Sequence, residues 1–422
     1  MEYNQTEVKQ GIKLHTIKTD KFKTNLIAVF LTTSLTRENV TKNSLIPAIL
    51  RRGSKKLKTQ EELSKTLEEM YGASFDCGID KTGDNQVIRF YIETVNDNYL
   101  PKKEEILQKS IETLLEIVFN PYEENGGFKK EYVSQEKTNM KKRIDGRKDN
   151  KARYSLDRCI EEMYKDKPYG LYKFGYVEDL EKIDEKNLYE YYKTLIQSCK
   201  IDIFVSGLVD DNVLNSVENN EIIKLLNERK AEFNELKLEA KPKKEKETVV
   251  TENMDVTQGK LLVGLDVDID NIDLKYVAMI YNSILGGSAN SKMFQNVREK
   301  AHLAYVANSM YFKYKGNIIV NCGIEIANYE KALDLIKKQI KDMEAGSFTD
   351  EEVENAKKGL IAAIKTIDDE QDSGITYYFG QELTNINVSI EEYMKKIEDV
   401  TRQEVQDIAK KININTIYFL RD

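Results

Sequence analysis

Only two histidines, His15 and His302, occur in 422 residues, beside four widely separated cysteines, Cys77, Cys159, Cys199 and Cys322, with no CxxC pair. Imidazole and thiolate are the usual zinc donors, and they work at short, characteristic spacings. No His or Cys pair here has that spacing, so no metal is expected to be held by this chain. A Ser/His/Asp triad would have to recruit one of the two histidines from a distance, and Ser44 has none near it in sequence. His15 lies in a strand-like N-terminal run and reads as a packed or surface residue. His302 reads as a turn residue. The run Gly286-Gly287-Ser288 lacks the lysine and glycine spacing of a phosphate loop. It reads as a helix stop, with glycine supplying a left-handed cap. Arg298 and Tyr305 remain, seven positions apart. A guanidinium and a phenol can donate hydrogen bonds to an oxygen that gains charge. By themselves they fit equally a charged helix end, with Arg298 paired to a neighbouring acid, and a tyrosine packed in a strand.

The balance of 64 basic and 72 acidic residues gives a net charge of -8, which argues against a nucleic-acid partner. The basic runs are short and sit beside acids, as from Lys241 to Glu247, and read as solvated surface. With 40% hydrophobic and 9% aromatic residues the chain can bury a core, and 5 prolines and 21 glycines argue against long disordered tracts. The N-terminal run MEYNQTEVKQGIKLHT lacks the apolar core of a signal peptide. No segment approaches the roughly 18 apolar residues of a membrane span. The expectation is a cytoplasmic protein with reduced cysteines, no membrane contact and no cofactor.

The elements that would position Arg298 and Tyr305 occur twice. An apolar strand at Asn25–Thr32 is followed by a helix near 43–52; its counterpart at Lys260–Val267 is followed by a helix near 273–286, about 235 residues later. Each half continues with a glycine-opened strand, from Gly83 and from Gly316, and a long amphipathic helix, near 101–118 and 328–343. Another helix follows, after Phe128 and after Phe348, the second with Thr349 as N-cap and Glu352 at the capping-box position. Each half ends on a helix and a strand, from Ile201 and from Ile414. The strands alternate apolar and polar residues. This predicts an α+β fold of two duplicated domains, 1–215 and 249–422, each a mostly antiparallel sheet with helices packed on one face. Residues 216–248, charged and mostly helix-like, form the expected linker.

Three segments carry a resemblance to the insulinase/pitrilysin family of zinc peptidases, which includes the mitochondrial processing peptidase. Ser291–Tyr311 (SKMFQNVREKAHLAYVANSMY) resembles the family's second-half segment, in which an arginine precedes a tyrosine by seven residues. Ser44–Asp76 resembles its zinc-helix region, and Phe128–Ile144 the helix that supplies the last zinc ligand. The resemblance implies a clamshell around a chamber, with zinc held by an inverted His-x-x-Glu-His motif and a later glutamate. On that pattern Ser44 and Ala48 stand at the two histidines, Pro47 at the catalytic glutamate and Arg143 near the later ligand. Serine and alanine cannot replace imidazole, proline offers no base, and an arginine repels a cation. Arg298 and Tyr305 match the family's substrate-contacting pair.

The resemblance therefore implies a catalytically inactive subunit of a two-chain zinc peptidase. It would bind peptide and lend Arg298 and Tyr305 to the site of a zinc-bearing paralogue in a heterodimer. The alternatives are a peptide-binding scaffold and a structural homodimer. The Tyr169–Leu180 text most resembles bacterial chains accessory to elongation factor P 5-aminopentanol modification.

Overall fold

The structure, a computed structural model, describes residues 2–210, 212–237, 241, 244, 246–269 and 271–422. The first half runs β1 Glu2–Lys9, β2 Ile12–Lys18, β3 Thr24–Ser34, α1 Val40–Leu50, α2 Gln60–Glu69, β4 Ser74–Thr82, β5 Asn85–Val95, α3 Ile106–Phe119, α4 Lys130–Asp145, α5 Lys151–Met163, α6 Glu185–Ser198 and β6 Lys200–Gly207. The second runs β7 Thr248–Asn253, β8 Gly259–Val267, α7 Leu274–Asn282, β9 Ala304–Phe312, β10 Asn317–Ile324, α8 Tyr329–Glu344, α9 Asp350–Lys365, α10 Gln371–Thr384, α11 Ile390–Glu398, α12 Arg402–Ala409 and β11 Ile412–Arg421. The first sheet is ordered β1-β2-β6-β3-β5-β4 and the second β7-β11-β8-β10-β9. Strand for strand, the last five strands of the first sheet match the second. Both are antiparallel except at one pair, β2–β6 and β7–β11. The expected α+β class and antiparallel-rich sheets are present. The Thr349–Glu352 capping box also forms, with each side chain closing on the other residue's backbone N–H.

Two compact units divide the chain, one of Met1–Asp145, Leu171–Glu235 and Ile367–Asn385, the other of Gly146–Gly170, Leu236–Thr366 and Ile386–Asp422. They differ from the contiguous ranges 1–215 and 249–422 by an exchange: α5 belongs to the second unit and α10 to the first. In the first unit, Ile27, Val29 and Leu31 of β3 join the core beneath α1, α3 and α6. Phe30, on the opposite face, stacks on Phe379 of α10 at 4.1 Å. In the second unit, Ile160 and Met163 of α5 cluster with Leu262, Ile319 and Leu420. At Gly264 a Cβ would lie 2.3 Å from the Met163 sulfur, so glycine lets α5 sit against β8. Helices therefore cover one face of each sheet, and one helix from the other half covers the opposite face. This corrects the expected alternation. β3 and β6 are buried along nearly their whole length, because strands covered on both faces need apolar residues throughout.

The 216–248 segment also differs from expectation. Helices Asn212–Glu218 and Glu221–Leu225 open it, but residues 226–237 form neither helix nor strand. Their backbone groups bond along the first unit: Arg229 N–H donates to the Gln10 carbonyl at 3.1 Å and Glu232 N–H to the Ser198 carbonyl at 2.7 Å. Partners outside the segment replace the bonds a helix would make. The run 239–247 lies partly outside the described residues. The expected left-handed cap at Gly286–Ser288 is absent as well: neither Gly286 nor Gly287 has positive φ. Ser283–Gly287 forms a π-helical turn, and a Cβ on Gly286 would lie 2.5 Å from the Ser309 backbone nitrogen. Glycine is there for close approach of helix to strand.

The exchanged helix α10 is held to the first sheet by charge. Asp202 on β6 is fully buried, with the Lys200 ammonium 2.5 and 2.6 Å from its two oxygens and His15 Nε2 at 3.0 Å. The Tyr3 hydroxyl lies 2.8 Å from His15 Nδ1. Lys200 also reaches Glu382 of α10 at 3.0 Å, and Lys13 reaches it at 2.7 Å. Burial pushes the Asp202 carboxyl up, but the Lys200 charge and the His15 hydrogen bond outweigh it and hold it at about 2. His15 is thus a packed residue, the first of its two expected readings.

Because the Asp202 carboxyl titrates below its unfolded value of about 3.9, its contribution of about 2 kcal/mol is fully present above pH of about 4 and drains as pH falls towards 2. Urea midpoints measured from pH 6 down to pH 2 should fall across that window in the native protein. Asp202→Asn should lose about 3 kcal/mol at neutral pH and show a flatter acid limb. Gly286→Ala should lose about 1–3 kcal/mol in the same assay, from overpacking against Ser309.

Candidate functional site

Ser44, Pro47 and Ala48 lie on α1 and, with Arg143 of α4, line one pocket of about 370 Å³ in the first unit. Ser44 and Ala48 are four apart and share a helix face. The helix continues through Pro47: Arg51 N–H donates to the Pro47 carbonyl at 3.2 Å, and the Cys77 thiol donates to the same oxygen at 3.4 Å. The Ser44 hydroxyl is spent within the helix, donating to the Val40 carbonyl at 2.7 Å. Buried and without a histidine beside it in the pocket, it is no nucleophile. Proline and alanine offer no donor atom.

The facing wall is α4. Glu136 is the one acid lining the pocket and is 8% exposed. Arg52 Nε donates to it at 2.7 Å, a second nitrogen of the same guanidinium also bonds it, and the Asn139 amide donates at 3.2 Å. Two turns further along the helix, Arg143 lies over the Phe174 ring, its guanidinium carbon 5.0 Å from the ring centre. Cys77 of β4 forms part of the floor. Burial pushes its thiol up to about 11, while the Arg51 and Arg143 charges pull it down and Asp76 and Glu136 push it up. A zinc site needs three or four neutral-imidazole, thiolate or carboxylate donors. This pocket supplies a single carboxylate already held by an arginine, and its other charges are cations, so its residues do not fit a metal. Among the described residues, no group of three or more His, Cys, Asp or Glu side chains could hold a metal ion.

Arg298 and Tyr305 come together in the second unit. The segment Met293–Lys300 is π-helical and anchored by buried Met293 and Val297. The Arg298 guanidinium carbon lies 4.6 Å from the Phe294 ring centre and 5.8 Å from that of Tyr305. Its Nε is 3.4 Å from the Glu299 carboxylate, the neighbouring-acid pairing expected of a charged helix end. His302 has φ of 53° and turns the chain into β9, as a turn residue should. The β9–β10 register then shifts between Ala304 and Val306. This bulge leaves Tyr305 76% exposed on a terminal strand, so it is not packed in the sheet.

Sequence reasoning passed over Arg51, Arg52, Gln60 and Asn139, all lining the α1–α4 pocket. The adjacent arginines at 51 and 52 just beyond Ala48 were the available signal. Glu136 gave no local signal, because its pairing with Arg52 crosses 84 positions.

Comparison with known proteins extends these observations. Residues 182–360 match the model of the peptidase M16 inactive domain. The chain is 35% identical over 414 residues to the "Probable inactive metalloprotease YmfF" of Bacillus subtilis, spanning 97% of this chain and 96% of that one. It is 23% identical over 267 residues to the "Uncharacterized zinc protease YmxG" of the same organism, spanning 61% and 63%. A conserved protein from Enterococcus faecalis V583 has a crystal structure that superposes with a TM-score of 0.90, at 28% identity and over 100% of this chain and 99% of that one. The 35% identity along almost the whole chain to a relative named as a probable inactive metalloprotease agrees with a pocket whose side chains do not fit a metal, and the chain belongs to the M16 peptidase family as an inactive homologue.

Proposed function

We propose that this chain is the non-catalytic member of a two-chain zinc peptidase, binding peptide and lending Arg298 and Tyr305 to the zinc site of a paralogue. The observation that carries the reading is the Arg298–Tyr305 pair, with Tyr305 turned outward on a terminal strand, in a chain whose described residues include no group able to hold a metal. Among the described residues no hydrogen bond ties down the Tyr305 hydroxyl, and a bulge keeps the side chain out of the sheet. Such a pair, brought to a scissile carbonyl, donates to the oxygen as charge develops there. Bacillus subtilis carries both the inactive relative and a relative named as a zinc protease, which supports the division of labour. Four free thiols fit a reducing compartment, which supports a cytoplasmic setting. Elongation factor P modification, implied by the sequence resemblance, is the pathway this reading points to.

A second reading, a peptide-binding scaffold without a part in cleavage, is favoured by the open edges of the two sheets, at β4 and β9 among others. An extended peptide can add to such an edge through backbone hydrogen bonds.

Co-expression with a His-x-x-Glu-His paralogue from the same genome tests both. The expected result is a stable complex with peptidase activity and zinc stoichiometric with the paralogue alone. Arg298→Ala should lower turnover about 100-fold and Tyr305→Phe about tenfold, with the complex intact by size-exclusion chromatography. Unchanged turnover in both variants, with peptide still bound, would select the scaffold. A compact homodimer that ignores the paralogue would select the structural alternative.

A further inference from the structure

The α1–α4 pocket combines an apolar floor with an excess of positive charge. Its lining holds three guanidiniums, Arg51, Arg52 and Arg143, against the single carboxylate of Glu136. Arg52 is committed to that carboxylate. Arg51 and Arg143 are exposed, and neither makes an ion pair among the described residues. Both line the same pocket as Cys77 and both charges act on its thiol, and the exposed Asp76 is the other carboxylate besides Glu136 that acts on it. Arg143 is held in place by its stack on Phe174. Pro47, Ala48, Ile79 and Met140 supply the apolar surface. A guanidinium held in place and a second one beside the same floor match a planar carboxylate on a short aliphatic stem, which they can bind through paired N–H donors.

We propose that this pocket is a carboxylate-binding site, filled by the side-chain or terminal carboxylate of an acidic peptide. The guanidinium of Arg143 is the primary partner and Arg51 the second, with Arg52 and Glu136 fixing the wall between them. The same charge that repels a metal ion attracts this group. The inference rests on the peptide-binding reading for the source of the ligand, while the anion chemistry stands on the arginines alone.

Isothermal titration calorimetry on the full-length protein tests it with three probes. One is a ten-residue peptide rich in glutamate with a free C-terminus. The second is the same peptide with glutamine for glutamate and an amidated end. The third is inorganic phosphate. The native protein should bind the acidic peptide about tenfold more tightly than its neutral counterpart, and the preference should shrink between about 50 and about 300 mM salt. Arg51→Gln with Arg143→Gln should remove the preference. Arg143→Lys, which keeps the charge but not the planar fork, should retain part of it. Equal binding of the two peptides to the native protein, or a preference that survives the double substitution, overturns the site and leaves the peptide reading standing. Phosphate that binds, is lost in the double variant and finds no competition from either peptide keeps the anion site and overturns the peptide source.

Discussion

Asp202 lies on a central strand of the first sheet with no access to water, and its charge has to be matched from inside the fold. Lys200 and His15 do so, and Lys200 is shared with Glu382 on α10, 182 positions further along the chain. A buried ammonium left with one partner, or a buried carboxylate left with none, costs several kcal/mol. The network is therefore stable only when α10 is seated. The aromatic pairs Tyr3–Tyr378, at 4.0 Å, and Phe30–Phe379 seat it in the same register. The first unit is complete only once the chain from residue 367 has returned to it.

The second unit repeats the arrangement with different atoms. Glu252 of β7 accepts from Tyr154 and Arg158 of α5, at 2.5 and 3.1 Å, and from Tyr418 of β11 at 2.9 Å. Each sheet thus takes a helix from the opposite half of the sequence, and a carboxylate fastens it. The exchange explains the runs of buried residues in β3, β6 and β8, since both faces of those strands are covered. It also makes both units depend on long-range contacts, which slows folding relative to two independent halves.

The shape of a pocket and the chemistry of its lining are separable here. α1 and α4 face one another around a pocket, and the helix that carries Ser44 and Ala48 survives an internal proline. The pocket's lining does not make a metal donor set: a hydroxyl turned back on its own helix, two side chains without donors, and guanidiniums around one compensated carboxylate. In the second unit, a π-helical segment, a left-handed histidine and a strand bulge combine to turn Tyr305 outward beside Arg298. Each is a local departure from regular geometry, and such departures gather where side chains must be aimed.

Much of the fold was legible along the chain. The spacing of β3 and β8, the paired long helices α3 and α8, and the Thr349–Glu352 cap follow from local pattern and propensity, which a strand or helix expresses within its own residues. The shortage of metal donors was equally plain, because residue type decides what can ligate. The sequence could not show which unit α5 and α10 would join, since periodicity marks that a helix has an apolar face and not which sheet will cover it. Nor could it show that Arg51, Arg52 and Arg143 would share a pocket with Glu136, or that Gly286 serves close packing and not a cap. Those are distances between residues far apart in the chain, set by side-chain volume and by the need to pair buried charge. The sequence by itself determined the elements, their duplication and the shortage of His and Cys donors. Tertiary structure alone decided which helix crosses to which sheet and where the remaining charges converge, because burial and charge pairing act only between segments that folding has brought together.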